Sequence, residues 1–536
     1  MGRGPHHLTM RAPSPTIECD LRSIAEQTDL ANVYDLAKVT ALERADILSG
    51  ELNTNIYLKR EDLQSVFSFK IRGAANRIAK LSPKERARGV VAASAGNHAQ
   101  GIAQAAKYYG TQATIFMPIT TPPIKTKAVT AKGAKIQLVG DNYDAACEAA
   151  LQFAKNTGAV FIHPFDEIDV IAGQGTIGKE ILDQCGDTPP AAVYISVGGG
   201  GLISGIGAYL RTHSPSTRII AVEPEGSTTL KTSLEKGVPT PLNSIDGFAD
   251  GVAVKLIGTT TLKIAQAIDP ETVLVSNDEI CASARDIFEQ TRTVVEPAGA
   301  LALAGLLKHI RQGKAPRGNT HDANTHKGPC IAIVTGANVN FDRIGYMVER
   351  AELGAGGEIL LAATLPERPG AFLQFCQALG EHAVSEFNYR YADQHSAHVL
   401  VGVKIKSVEE GKNIIAKLQS QDIEVTDLSD NPLAKDHLRH MVGGRASGRT
   451  PERIYSFEFP ERPGALRDFL TTLNGDWNIS LFHYRNHGAS TSQVLCGFQI
   501  PNNDASALEA SLRKTGFAMR EETNNPAYQY FLKNDG

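Results

Sequence analysis

What this sequence lacks narrows it first. Its seven cysteines (Cys19, Cys147, Cys185, Cys281, Cys330, Cys376 and Cys496) are odd in number, scattered, and form no CxxC pair or Cys/His cluster. That excludes a disulfide framework and a structural zinc site, and it points to a reducing compartment. There is no basic excess: 54 Lys+Arg stand against 58 Asp+Glu, a formal charge of −4. Nucleic acid and anionic membrane usually require a basic surface, so neither is expected as a partner. Residues 1–22 carry Arg3, Arg11 and Arg22 but no apolar segment of a secretory signal. They also carry no acid before Glu18, which leaves a mitochondrial or plastid address open beside a cytoplasmic one. The longest uncharged stretch, Thr188 to Leu210, has the length of a membrane span. Gly198 to Gly201, Ser204, Gly205 and Gly207 interrupt it, so a strand, a glycine loop and a helix are expected instead.

What is present is length and order. A chain of 536 residues can bury a large core and suggests about three or four domains at roughly 150 residues each. Residues 89–223 alternate apolar runs with helical segments. The runs are Gly89–Ser94, Ala113–Pro118, Lys135–Val139, Val160–His163, Ala191–Val197 and Arg218–Glu223; the helices include His98–Tyr109, Tyr143–Asn156, Thr176–Gln184 and Leu202–Arg211. This predicts βαβ units on a parallel sheet covered on both faces. The polar, nonperiodic stretch 311–328 reads as a surface loop, and Cys330–Val334 as one more strand. Near residue 355 the pattern changes. Pro366-Glu-Arg-Pro-Gly-Ala371 recurs as Pro460-Glu-Arg-Pro-Gly-Ala465, and Phe387-Asn-Tyr-Arg390 is echoed by Phe482-His-Tyr-Arg485. Matches at nearly one offset indicate a duplicated module, each copy predicted as a βαββαβ, ferredoxin-like α+β domain.

Four segments could carry chemistry. Lys70 lies in Ser65-Val-Phe-Ser-Phe-Lys-Ile-Arg-Gly73. Alone a lysine most often starts a solvated helix, but apolar neighbours desolvate an amine and lower its pKa, as a Schiff-base lysine requires. Ser94-Ala-Gly-Asn-His-Ala-Gln-Gly101 joins a strand to a helix, where open amides suit a carboxylate or phosphate; the plain alternative for Asn97 is a helix cap. Gly198-Gly-Gly-Gly-Leu-Ile-Ser204 spends more backbone entropy than a turn needs, and a nest of amides around a phosphate explains it. No Gly-Lys-Ser/Thr follows, so it is not a nucleotide P-loop. Thr335-Gly-Ala-Asn338 puts a hydroxyl at a strand's carboxyl end, where α/β proteins bind ligands. Gly173-Gln-Gly-Thr-Ile-Gly178 fits GxGxxG but follows no strand directly, so a structural helix start is expected rather than dinucleotide binding. His98 and His163 read as core or capping residues with no metal-ligand spacing.

Together these segments resemble the fold type II pyridoxal-phosphate enzymes, and most closely the biosynthetic threonine dehydratases, from about residue 30 to 535. The likeness rests on Lys59-Arg-Glu-Asp-Leu-Gln64 with Ser68-Phe-Lys70, on SAGNHAQG and GGGGL, and on the duplicated PERPGA modules, which look like that family's two ACT-like regulatory domains. It implies an α/β catalytic domain with parallel sheets at 29–352, after an extension at 1–28, then ACT-like domains at 357–431 and 453–524. It implies pyridoxal 5'-phosphate on Lys70, with Lys70 as the proton-transferring amine and Asn97 at the phenolic oxygen. The amides of Gly198, Gly199, Gly200, Gly201 and Leu202 would hold the phosphate. Thr335, where the family usually has Ser, would face the pyridine nitrogen, and Ser94, Ala95, Gly96 and Asn97 would bind the substrate carboxylate. The implied reaction turns L-threonine into 2-oxobutanoate and ammonia, and L-serine into pyruvate, at the entry to isoleucine biosynthesis. Isoleucine would inhibit and valine counter it, in a homotetramer. No metal is expected: after Glu223, where some relatives hold one, Thr228 and Thr229 replace an acid. Threonine synthase, a β-replacement enzyme, and a non-catalytic amino-acid sensor are the competing readings.

Overall fold

A computed structural model describes residues 20–316, 328–354 and most of 356–533, leaving out 355, 367–374, 376, 381, 383, 392–395, 439–450, 461–464, 474–476 and 486–490. Most of the 311–328 stretch, the amino terminus and the turns of both PERPGA motifs therefore lie outside the described residues.

The alternating segment forms strands and helices close to the expected bounds, but its strands divide between two sheets. Val90–Ala93, Ala113–Met117, Lys135–Leu138 and Val160–Phe161 make a four-stranded parallel sheet. Ala192–Ser196 and Arg218–Pro224 join a six-stranded sheet with Ile56–Arg60, Cys330–Val334, Glu271–Val275 and the short antiparallel edge Leu42–Arg44. The large sheet is buried on both faces, which is why its strands read as unbroken apolar runs. Tyr194, Leu58 and Ala332 point into one core; Val193, Ile195, Ile331 and Ile333 point into the other.

The GxGxxG glycines lie inside the 18-residue helix Ile168–Cys185, not at its start, and their role is packing. A Cβ on Gly173 would sit 2.7 Å from the Arg72 carbonyl and from the Gly73 Cα, and one on Gly205 would sit 2.6 Å from the Gly175 amide. Helices Lys70–Ala79, Ile168–Cys185 and Gly201–His213 thus touch backbone to backbone. The helix Leu21–Asp29, within the stretch expected as an extension, packs on this group: Ile24 is buried, and a Cβ on Gly175 would strike Thr28.

A charge network locks the same helices. The fully buried Arg72 donates to Glu61 (2.8 Å) and to Glu180 (2.6 Å), and Glu180 also pairs with buried Lys59 (2.6 Å). Removing one member of such a network leaves an uncompensated buried charge, a loss of about 3–5 kcal/mol.

After the long helix Phe341–Gly354, the C-terminal third forms two antiparallel four-stranded sheets. Glu358–Pro366, Val384–Tyr391, Ser396–Lys404 and Glu424–Asp427 form one; Glu452–Pro460, Asn478–Arg485, Thr491–Gln499 and Ala518–Glu521 form the other. In each, the first strand pairs antiparallel with the third and fourth, the ferredoxin-like order predicted from the repeat. Each copy has its own core, and a third cluster, including Leu360, Leu400, Leu433, Ile454, Leu495 and Tyr528, joins the two. Among the described residues no helix is long and apolar enough to cross a membrane.

Candidate active site

The sheet order brings the separated segments together. Cys330–Val334 lies beside Ala192–Ser196, so Thr335 and the glycine loop leave the large sheet at adjacent carboxyl ends. Thr335 donates its hydroxyl to the Ala298 carbonyl (2.9 Å), which also accepts from Ser196 (3.1 Å). The segment before Lys70 is stitched to the same strand end. Phe69 N–H donates to the Thr335 carbonyl, Ala337 N–H donates to the Phe67 carbonyl, and Ser68 bridges Gly336. Phe67 is held there at φ +55, a left-handed conformation that costs a bulky residue about 1–3 kcal/mol.

Lys70 begins its helix half-buried and donates Nζ to the Pro164 carbonyl at 3.0 Å. Desolvation lowers its pKa to about 8, against the opposing pull of Glu296. The next residue, Phe165, covers the glycine loop. A Cβ on Gly199 would strike its ring, and one on Gly198 would lie 2.8 Å from the Val252 backbone. Gly200 sits at φ +90 and caps the helix Gly201–His213. Among the described residues, the amides of Gly198 through Leu202 donate to no protein acceptor. They lie at the positive end of that helix, where unpartnered amides suit an anion.

Asn97 starts the helix Asn97–Tyr108 from the neighbouring sheet; its N-cap is Gly96, so it is not the cap itself. Its Nδ2 donates to Glu296 at 2.6 Å and its Oδ1 accepts from Asn338 at 2.7 Å. The loop before it folds on itself, Gly96 N–H donating to Ser94 Oγ. Glu296 was not singled out by sequence reading. The available signal was an acid among apolar residues directly before Pro297, which marks a helix start. Burial raises its pKa to about 7. A pocket beside it is lined by Lys125, Asp250, Asn338 and Arg343.

The other candidates stand apart. His98 donates its Nε2–H to the Ile162 carbonyl, and burial drives its pKa down to about 3. His163 accepts at Nδ1 from the Phe165 and Asp166 amides, so it caps a turn. Glu223 accepts from the amides of Leu230 (2.7 Å) and Lys231 (2.9 Å), so its carboxylate closes the helix Thr229–Lys236. Among the described residues no group of three or more His, Cys, Asp or Glu is placed to hold a metal.

Comparison with known proteins decides what this arrangement is. Residues 33–321 match the family of pyridoxal-phosphate dependent enzymes, and residues 349–438 and 443–532 each match the C-terminal regulatory domain of threonine dehydratase. The biosynthetic L-threonine dehydratase IlvA of Haemophilus influenzae is 46% identical over 94% of this chain and 96% of its own. The mitochondrial threonine dehydratase of Saccharomyces cerevisiae is 45% identical over 94% and 88%. The chain belongs to the biosynthetic threonine dehydratase family. Among solved structures, the processed threonine deaminase isoform 2 of Solanum lycopersicum superposes with a TM-score of 0.59 at 40% identity, covering 66% of this chain and 93% of that one.

The family's cofactor is pyridoxal phosphate, and the residues present fit it. The amides of 198–202 are unpartnered, their glycines leave no room for a Cβ against Phe165, Val252 and Thr261, and the desolvated Lys70 amine bonds Pro164, the residue before Phe165. Both the phosphate and the aldehyde of such a cofactor have a chemical counterpart here.

Proposed function

We propose that this chain dehydrates and deaminates L-threonine to 2-oxobutanoate and ammonia, and L-serine to pyruvate, under control of its C-terminal pair. The carrying observation is the desolvated Lys70 amine, tied through Pro164 and Phe165 to an unpartnered amide nest. Pyridoxal phosphate, when bound, supplies the electron sink that makes a substrate Cα proton acidic.

The chain's residues do the rest. Gly198, Gly199, Gly200, Gly201 and Leu202 hold the phosphate with backbone amides. Lys70, as a free amine, would take the Cα proton as general base, and that proton together with the departing β-hydroxyl makes up the water eliminated. Asn97 meets the cofactor's phenolic oxygen. Thr335, whose hydroxyl donates to the Ala298 carbonyl here, would face the ring nitrogen. Ser94 through Asn97 offer a helix amino terminus to the substrate carboxylate. The catalytic unit spans about 29–352 and the two regulatory copies follow, with isoleucine inhibiting, valine countering, and a homotetramer as the assembly.

Because the Lys70 pKa is lowered to about 8, the basic amine is scarce at pH 6 and dominant at pH 9. The rate at saturating threonine should rise through that window and then level. The first test is the visible absorbance of purified protein with pyridoxal phosphate, before and after L-threonine, with 2-oxo acid assayed alongside. A band that shifts as 2-oxobutanoate appears supports the reading. A protein that takes up no cofactor overturns it and leaves an amino-acid sensor. Lys70→Ala should remove band and turnover together.

A further inference from the structure

The Asn97 amide is held from both ends by groups that permit one orientation. Its Nδ2 faces the Glu296 carboxylate at 2.6 Å, and its Oδ1 faces the Asn338 Nδ2 at 2.7 Å. Asn338 is itself fixed, because the same Nδ2 donates to the Val66 carbonyl at 2.8 Å. Turned over, Asn97 would set its oxygen against a carboxylate and its amino group against another amino group. As placed, it has one N–H left to donate.

Glu296 is 4% exposed, and its backbone is pinned by its own N–H on the Gly336 carbonyl (3.2 Å). A Cβ on Gly336 would come within 2.5 Å of its Oε1. The carboxylate thus lies close against the Gly336 backbone.

We propose that Glu296 is a positioning residue: with Asn338 it locks the Asn97 amide so that its free N–H points at the phenolic oxygen of the cofactor. This rests on the function proposed above. A donated hydrogen bond favours the ionised form of that oxygen, so the lock sets the pH at which the bound cofactor changes colour. Three charged groups face Glu296: Asp250, which opposes its ionisation, and Lys125 and Arg343, which favour it. Lys70 adds to them only while its amine is free. Burial holds its own pKa at about 7, so the lock weakens as the carboxylate gains a proton and can donate instead of accept.

The test is a double-mutant cycle on the cofactor-loaded enzyme, read by visible absorbance across pH and by cofactor dissociation. Glu296→Gln keeps shape and removes the obligate acceptor. It should move the colour midpoint by about one pH unit, a tenfold change in that equilibrium. It should do so in wild type and not in an Asn97→Ala background. An unmoved midpoint, or an equal shift with and without Asn97, overturns the proposal. Should Glu296→Gln fail to fold, Asn338→Ser frees the other end of the amide and should shift the midpoint in the same direction. A wild-type protein with no visible band in excess cofactor would instead defeat the underlying functional reading, and this proposal with it.

Discussion

The two regulatory copies share a closing motif whose differences assign them different partners. Asp430-Asn-Pro-Leu-Ala-Lys-Asp-His-Leu438 and Asn524-Asn-Pro-Ala-Tyr-Gln-Tyr-Phe-Leu532 align at an offset of 94. Each begins a short helix, Pro432–Asp436 or Pro526–Phe531, capped by its Asn and started by its Pro. The two caps meet: Asn431 Nδ2 donates to Asn525 Oδ1 at 3.0 Å. Beyond that symmetry they diverge. In the first copy Lys435 pairs with Asp278 of the catalytic unit, and Asp436 accepts from Arg350 of the connecting helix at 2.6 Å. Arg350 also pairs with Asp278, closing a four-charge cluster in which Asp278, Arg350 and Lys435 are buried. In the second copy the same positions are Gln529 and Tyr530. The Tyr530 hydroxyl instead accepts from Thr426 (2.7 Å) and donates to Glu424 (3.4 Å) of the first copy's last strand. One duplicated helix thus docks charge-to-charge on the catalytic unit, and its twin docks on its sibling. A duplication acquires direction through two side chains.

That contrast can be broken at either end. The largest effect should come from Arg350→Ala, which strips Asp278 and Asp436 of a shared buried cation. About 3 kcal/mol should be lost from the junction, seen as an earlier first transition in urea, while cofactor binding persists. Asn431→Ala and Asn525→Ala each remove a cap and the bond across the pseudo-axis. Each should cost about 1 kcal/mol, and the double variant less than the sum, because the two side chains bond each other. Equal and fully additive costs would show that the caps act separately. Smallest should be Tyr530→Phe, at about 0.5 kcal/mol, because its two hydrogen bonds are partly exposed and one is long at 3.4 Å. A loss as large as that of Arg350→Ala would reverse the assignment of which copy carries the dock.

The sequence made the repeat, the alternating strands and the four candidate segments legible, because each is written locally: in apolar period, in glycine runs, in one lysine after Phe67 and Phe69. Two things were not. The division of strands between two sheets depends on which neighbours pair across long connections, and a run such as Val90–Ala93 reads the same in either sheet. Glu296 is 199 residues from Asn97, so nothing near either residue announces their contact. The GxGxxG run was legible as structural, since no strand directly precedes it. Its place inside a helix rather than at a helix start was not, because the glycine spacing says nothing of how far the helix extends before it.

Those same glycines carry a consequence for how the protein tolerates variation. Where side chains interdigitate, the cost of a substitution grows with its volume, methyl by methyl. Between the helices of Gly173 and Gly205 there is no side-chain layer to absorb volume, because backbone already touches backbone. Alanine and leucine should be nearly equally unwelcome there. The response to size at these positions is a step rather than a slope, and the helix that begins with Lys70 is seated on one side of that step.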